Sequence, residues 1–488
     1  MSARFASLAF WAAAAAFLVY LILRAAWIPI THDEAATCLN HVPRTAWDIL
    51  TYAKDPVPNN HILNTLGIKL FAGLFGMGHF TARIPSLLGG LIYVLAAIGL
   101  CHAMSRNARV RFFGLVVLLG NPFVDEFFAL ARGYGLAVGL MLGAIWATWR
   151  YLENSRENYL KGSLLFGLLA VMANFTLLNF FAPLWVLLIW ISVSRRKEQP
   201  VLWKPLAMYP VVLAALCYWP LTRIGSTDQL RFWGESGFYK ETLKELVKSS
   251  IRNSPYLDDH TVPVLSVLAA AFAIGGWAVA IIRWQRQSWK FNTSDPLTFA
   301  SFLLAGTFAT NMLQFFMLHT PFLNARTSIF FYPLFALQLF AAAVLLEQKW
   351  GGRGWLIMAP VGLFALVNFN RCADVSSTSE WWFDKANFQV LDYIRARYEA
   401  EGRTEPFTLD TQWLEENSMM FHVNEAKNNY SRSVQLPPWH PEQPPKGDTE
   451  FYYTHTREEH DRLRDRYDVV LTTVPGSQYL MRKKKAAQ

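Results

Sequence analysis

The chain has 488 residues, 53% of them hydrophobic and 17% charged, with a net charge of +9 and four cysteines. That leaves too little polar surface to solvate so much apolar side chain in water, which excludes a soluble enzyme, a disordered chain and a disulfide-stapled secreted domain. Cys38, Cys101, Cys217 and Cys372 share no metal-ligand spacing, and the basic excess lies in loops between apolar runs, so no nucleic-acid partner is expected.

The first uncharged run, residues 5–23, is about one bilayer crossing long and lacks the layout of a cleaved signal, so it is expected to remain as the first span. With Arg4 inside, residues 31–60 lie outside and the basic loop 105–111 lies inside. Residues 61–80 are apolar but broken by Lys69, which fits a crossing, a re-entrant segment or an interfacial helix; 84–101 reads as a full span. The uncharged stretch from Phe112 is only 13 residues long and reaches the outer face near Asp125.

Residues 162–194 hold 33 uncharged positions. As one helix they would extend ~50 Å, well past a ~30 Å hydrocarbon core, so two short spans with a turn near 174–179 are expected. Runs at 205–222, 261–282, 296–325, 327–346 and 354–370 bring the count to about eleven, and an odd count places the C-terminus outside. Clusters such as Arg106, Arg109 and Arg111, or Arg195, Arg196 and Lys197, recur on alternate loops as cytoplasmic turns do. The long outer segment 223–260, with Arg231, Trp233, Lys240, Lys244 and Lys248, reads either as a mobile loop over a substrate or as an amphipathic helix on headgroups.

After Asn370 the composition turns polar and turn-rich. Residues 381–400 are helical in pattern and 407–411, 419–423 and 469–473 strand-like, with an irregular loop at Pro437, Pro438, Pro441, Pro444 and Pro445. The chain is therefore read as mainly α, a polytopic transmembrane helical bundle over residues 1–370 with a small soluble α/β domain over 371–488.

Carboxylates are costly beside hydrocarbon, so those set against span ends are candidates for function. One cluster, Thr31-His32-Asp33-Glu34-Ala35, follows the first span; another, Asp125-Glu126, sits in Asn121-Pro122-Phe123-Val124-Asp125-Glu126. Both are expected on the outer side at similar depth, where they could share a base role, bind a divalent cation such as Mg or Mn through Asp33 and Glu126, or cap helices. Arg132 in Ala131-Arg132-Gly133-Tyr134 and Arg326 in Asn324-Ala325-Arg326-Thr327 begin descending spans, where a guanidinium either binds phosphate through its planar fork or snorkels to the interface.

These motifs carry a resemblance. Asp33-Glu34-Ala35, Asn59-Asn60-His61-Ile62-Leu63-Asn64, Ala82-Arg83-Ile84-Pro85-Ser86-Leu87-Leu88, Asn121-Pro122, Ala131-Arg132-Gly133-Tyr134 and Arg326 with Pro333, in this order, resemble the family 39-like glycosyltransferases of the GT-C superfamily, which includes protein mannosyltransferases and the lipid A aminoarabinose transferase. The likeness runs over roughly residues 1–370 and departs from the pattern at His61, which Ile62 and Leu63 follow in place of two prolines, and at 174–179, which lacks a histidine.

The resemblance implies an integral enzyme of the bacterial inner membrane with a periplasmic site, taking a sugar from a polyprenyl phosphate or pyrophosphate. The acceptor would be a glycan, lipid or protein, and membrane lipids surround the chain. By position Asp33 looks like the family's first-loop aspartate and Glu126 like its second-loop acid. Asp33 is the expected base, with Glu126 assisting; Arg132 and Arg326 are expected on the phosphate, and Glu34, His32, His61 and Tyr134 around the substrate. No cofactor is expected beyond that optional cation. The rival readings are a lipid-linked glycan flippase or transporter, which would place its charges at the midplane and show repeated halves, and a non-catalytic glycan-binding relative.

Overall fold

The structure, a computed structural model, describes residues 3–54, 56–227, 234–251, 260–351, 354–437, 449–474 and 477–484. Arg231, Trp233, Pro438, Pro441, Pro444 and Pro445 lie outside the described residues. Among the described residues, eight helices are long and apolar enough to cross a membrane: Arg4–Trp27, His79–Met104, Gly133–Asn154, Phe175–Ser194, Trp203–Gly225, Thr261–Arg286, Pro296–Leu318 and Phe331–Trp350. The chain is thus a polytopic helical bundle with a small C-terminal sheet. Helix Ile62–Phe75 has 14 residues, about 21 Å, too short to cross unaided; within it the Lys69 ammonium donates to the Val42 carbonyl at 2.9 Å.

The long apolar run at 162–194 does break in two. Helix Glu157–Ala173 stops where Asn174 turns extended (φ −158°), and the Asn174 side chain accepts the Thr176 amide at 3.0 Å before helix Leu178–Ser194 resumes. An asparagine can end one helix and cap the next because its side chain replaces the missing backbone acceptor.

Cα packing divides the chain into two compact units: residues 1–22, 46–64 and 85–373, and residues 23–45, 65–84 and 374–488. In the first, helix Gly133–Asn154 is the interior one, with 89% of its apolar window buried against 11% for Thr261–Arg286, whose Val264, Val267, Leu268, Ile281 and Ile282 face outward as lipid-facing residues do. Gly89 and Gly139 bring two backbones into contact: a Cβ on Gly139 would run into the Gly89 carbonyl, and one on Gly89 would lie 2.5 Å from Leu136 Cα.

The second unit carries a five-stranded sheet in the order β2-β1-β3-β5-β4, where β1 is Phe407–Thr411, β2 Val434–Gln435, β3 Phe451–Thr454, β4 Tyr467–Val474 and β5 Gln478–Lys483. β1 runs parallel to β2 and β3, while β3, β5 and β4 pair antiparallel. Val390, Leu391 and Ile394 of helix Asn387–Ala400 pack with Met419 and Val423 on Phe407, Leu409, Phe451 and Tyr453. The strand expected at 419–423 is instead the end of helix Trp413–Asn424. Its buried Glu415, Ser418, Met419 and His422 repeat at helical spacing, so the short apolar run is one helix face rather than a strand.

Candidate functional site

Each unit holds part of the candidate set. In the first, Asn121-Pro122 opens helix Pro122–Phe128: the Asn121 side chain accepts the Phe123 and Val124 amides at 3.0 Å each, and Pro122 stands at the first helical position, where its missing N–H costs nothing. This short helix carries Asp125 and Glu126, both buried. Arg132 follows in extended backbone as the residue before helix Gly133–Asn154. Its guanidinium donates to the Asn59 side chain and lies 5.9 Å from the Tyr134 ring centre, and the His61 and Tyr134 rings meet edge-on at 5.0 Å.

The backbone around Arg132 is clamped. Asn64 donates to the Ala131 carbonyl at 3.2 Å and Ser86 to the Arg132 carbonyl at 3.0 Å. Gly133 is required here, since a Cβ would run into the Ala173 carbonyl and the His61 side chain. The structure brings His61, Arg132 and Tyr134 into one cluster and adds Asn59 to it.

Arg326 sits on the short helical turn Ala325–Ser328, ahead of the Phe331–Trp350 span. A capping box between Asn324 and Thr327 fixes that turn, and the Asn324 amide donates to Glu241 at 3.3 Å. The segment 223–260 supplies helix Lys244–Ile251, which packs against both Pro122–Phe128 and the Arg326 turn. Asn121 donates to the Ser250 hydroxyl at 2.7 Å and Asn368 to the Ser250 carbonyl at 2.7 Å. This segment thus ties the Glu126 helix to the Arg326 turn, and Ser250 was invisible to motif reading because serine marks no chemistry by itself.

In the second unit, Asp33 lies half-buried on helix His32–Ala36. Glu34 beside it is wholly buried; the Arg83 guanidinium donates to both its oxygens, at 2.9 and 2.7 Å, and the Thr31 amide donates to it at 2.8 Å. The same guanidinium reaches the carbonyls of Ala25, Ile28 and Pro29. A fork with five donors suits this job, because the chain leaving the first helix exposes carbonyls with no helical partner. The His32 amide donates to Asp384 at 2.8 Å, its ring Nδ1 meets the Leu414 carbonyl at 2.7 Å, and the Ile30 amide donates to His422 Nε2 at 3.2 Å.

Burial dominates the electrostatics around that helix. It pushes the Asp384 carboxyl well above the usual range despite hydrogen bonds from Ser418, the His32 amide and Asn387, and raises Glu415 in spite of His455. Burial lowers His422 against the pull of Glu425. Glu425 goes the other way: burial alone would raise it, but His422 and His79 together hold it far below the usual carboxylate range. Among the described residues, no group of three or more His, Cys, Asp or Glu side chains converges as metal ligands would.

The fold has counterparts among solved structures. The chain superposes on crystal structures of ArnT from Cupriavidus metallidurans: on the form bound to undecaprenyl phosphate with a TM-score of 0.52 at 12% identity over 98% of both chains, and on the apo form with a TM-score of 0.48 at 11% identity over 96% of both. No family model and no curated protein matches the sequence.

Proposed function

We propose that the chain is a membrane glycosyltransferase that moves a sugar from a polyprenyl phosphate to an acceptor hydroxyl at the outer face of a bacterial inner membrane. The observation that carries this reading is a fold shared over 98% of the chain with a structure that holds undecaprenyl phosphate.

In this reading the Asp33 carboxylate takes the proton of the acceptor hydroxyl while the acceptor oxygen bonds to the anomeric carbon. The carbon–oxygen bond to phosphate breaks, its electron pair leaves with the phosphate, and a single displacement inverts the centre. Arg132 and Arg326 stabilise the departing phosphate, whose charge the surrounding apolar medium would otherwise oppose. Glu126 assists the base, and His61 and Tyr134 line the sugar. Glu34, with both oxygens engaged by Arg83 and the Thr31 amide, serves structure instead.

The test is incubation of the purified chain with radiolabelled polyprenyl-phosphate sugars and an acceptor extract, with and without divalent cations. Transfer with release of polyprenyl phosphate supports the reading. Movement of lipid-linked sugar across vesicles without transfer would replace it with a flippase.

A further inference from the structure

Asp33 stands on helix His32–Ala36, which runs on without a break into the π-helical turn Thr37–His41, a segment still short of the ~12–15 residues a helix needs to hold by its own hydrogen bonds. Both of its neighbours in sequence are held, and by different groups. Glu34 is tied to Arg83. His32 is tied instead to residues after 374, through the Asp384 carboxylate on its amide and the Leu414 carbonyl on its ring, with Trp413 edge-on to that ring at 5.6 Å. The chain entering the helix is fixed the same way, by His422 Nε2 accepting the Ile30 amide.

These acceptors are themselves immobilised. Asp384 accepts from the Ser418 hydroxyl and from Asn387 at 3.2 Å, and Asn387 also donates to Ser418 at 3.0 Å. His422 has its Nδ1 facing the Glu425 carboxylate at 3.5 Å, and Glu425 in turn accepts from the His79 amide at 3.2 Å and from Asn428 at 2.6 Å. Asp384 and His422 are buried, so both acceptors act away from bulk water, where losing a hydrogen-bond partner is costly.

We propose that Asp384 and His422 are positioning residues for sugar transfer: by holding the amides of His32 and Ile30 they set the place of the Asp33 carboxylate, and this gives the chain after residue 374 a task in the reaction. The inference rests on the reading of Asp33 as the base. A base displaced by about 1 Å loses roughly 10²-fold in rate while the groups that bind the donor phosphate stay in place.

The experiment uses the full chain in lipid nanodiscs, with a radiolabelled undecaprenyl-phosphate sugar that the wild type turns over, and compares wild type, Asp384→Ala, Asp384→Asn and His422→Ala. Amide hydrogen exchange over residues 30–41 is read beside kcat and the donor KM. In Asp384→Ala and His422→Ala, exchange at 30–41 speeds up while the β1 and β3 amides keep their protection, kcat falls about 10²-fold and KM stays within about threefold. Asp384→Asn, which keeps an acceptor for the His32 amide, recovers most of the rate. If Asp384→Ala does not fold, His422→Ala with the Asn variant decides the matter by the same readings. Wild-type kcat in Asp384→Ala or in a folded His422→Ala, or a loss that follows KM alone, overturns the inference while leaving the transferase reading standing. A wild type that transfers none of the sugars overturns the reading, and the positioning role with it.

Discussion

At the scale of single residues, the Glu34–Arg83 pair separates structure from chemistry in the segment after the first helix. Both side chains are wholly buried, so removing one charge strands the other where solvent cannot reach it. Glu34→Gln is therefore expected to destabilise the protein by about 3–5 kcal/mol, read as a fall in thermal midpoint, while a folded fraction keeps its donor KM. An unchanged midpoint would contradict the buried pair. Motif reading picked out Glu34 for its place beside Asp33 but had no means to see Arg83 as its partner, because the two lie 49 residues apart and only folding joins them. Arg132 makes the opposite prediction. As the proposed phosphate ligand, its loss in Arg132→Ala should cost about 10²–10³ in kcat/KM, and Lys should restore only part of it because an ammonium lacks the fork.

At the scale of elements, the contact between Gly89 and Gly139 decides how closely the helix that follows Arg132 can pack. Gly139→Leu should force the two backbones apart and lower the thermal midpoint. The same substitution at Gly275, where an added Cβ meets nothing within 4 Å, should be nearly silent. Patterning expected about eleven spans, where eight helices among the described residues are long and apolar enough to cross, but the break at Asn174 follows from a run too long for one crossing. It misread 419–423, since five residues cannot separate a strand from a helix face without the buried positions on either side.

The helix that replaced that strand carries a pH dependence. Burial keeps His422 neutral below its ordinary pKa of about 6.5, so as pH falls past that value the unfolded chain gains a proton that the folded one refuses. The stability His422 lends is present above about pH 6.5 and is lost on acidification. Asp384 and Glu415, raised by burial, act in the opposite sense: their share is present below the usual carboxylate range and is lost as pH rises. The comparison must therefore be between variants. The midpoint of His422→Gln should lie below wild type at pH 7.5 and approach it toward pH 5; a constant gap would contradict a neutral buried imidazole.

At the scale of the whole molecule, lipid as the solvent, the helical bundle and the polar C-terminal portion were legible from composition and run length alone, because the cost of placing charge in hydrocarbon constrains sequence so strongly. The candidate residues were legible only as separate clusters. What the sequence hid was the support around them: Asn59 on Arg132, Ser250 between two elements, and Asp384 and His422 on the amides before Asp33. Such contacts join residues up to 392 positions apart and use ordinary side chains in ordinary roles. In the proposed transfer Asp33 removes the acceptor's proton. The most direct test is the single-turnover rate of Asp33→Asn beside wild type, with a saturating radiolabelled polyprenyl-phosphate sugar. Loss of at least about 10²-fold in rate, with donor binding and folding intact, is the result predicted. Turnover at the wild-type rate would contradict it.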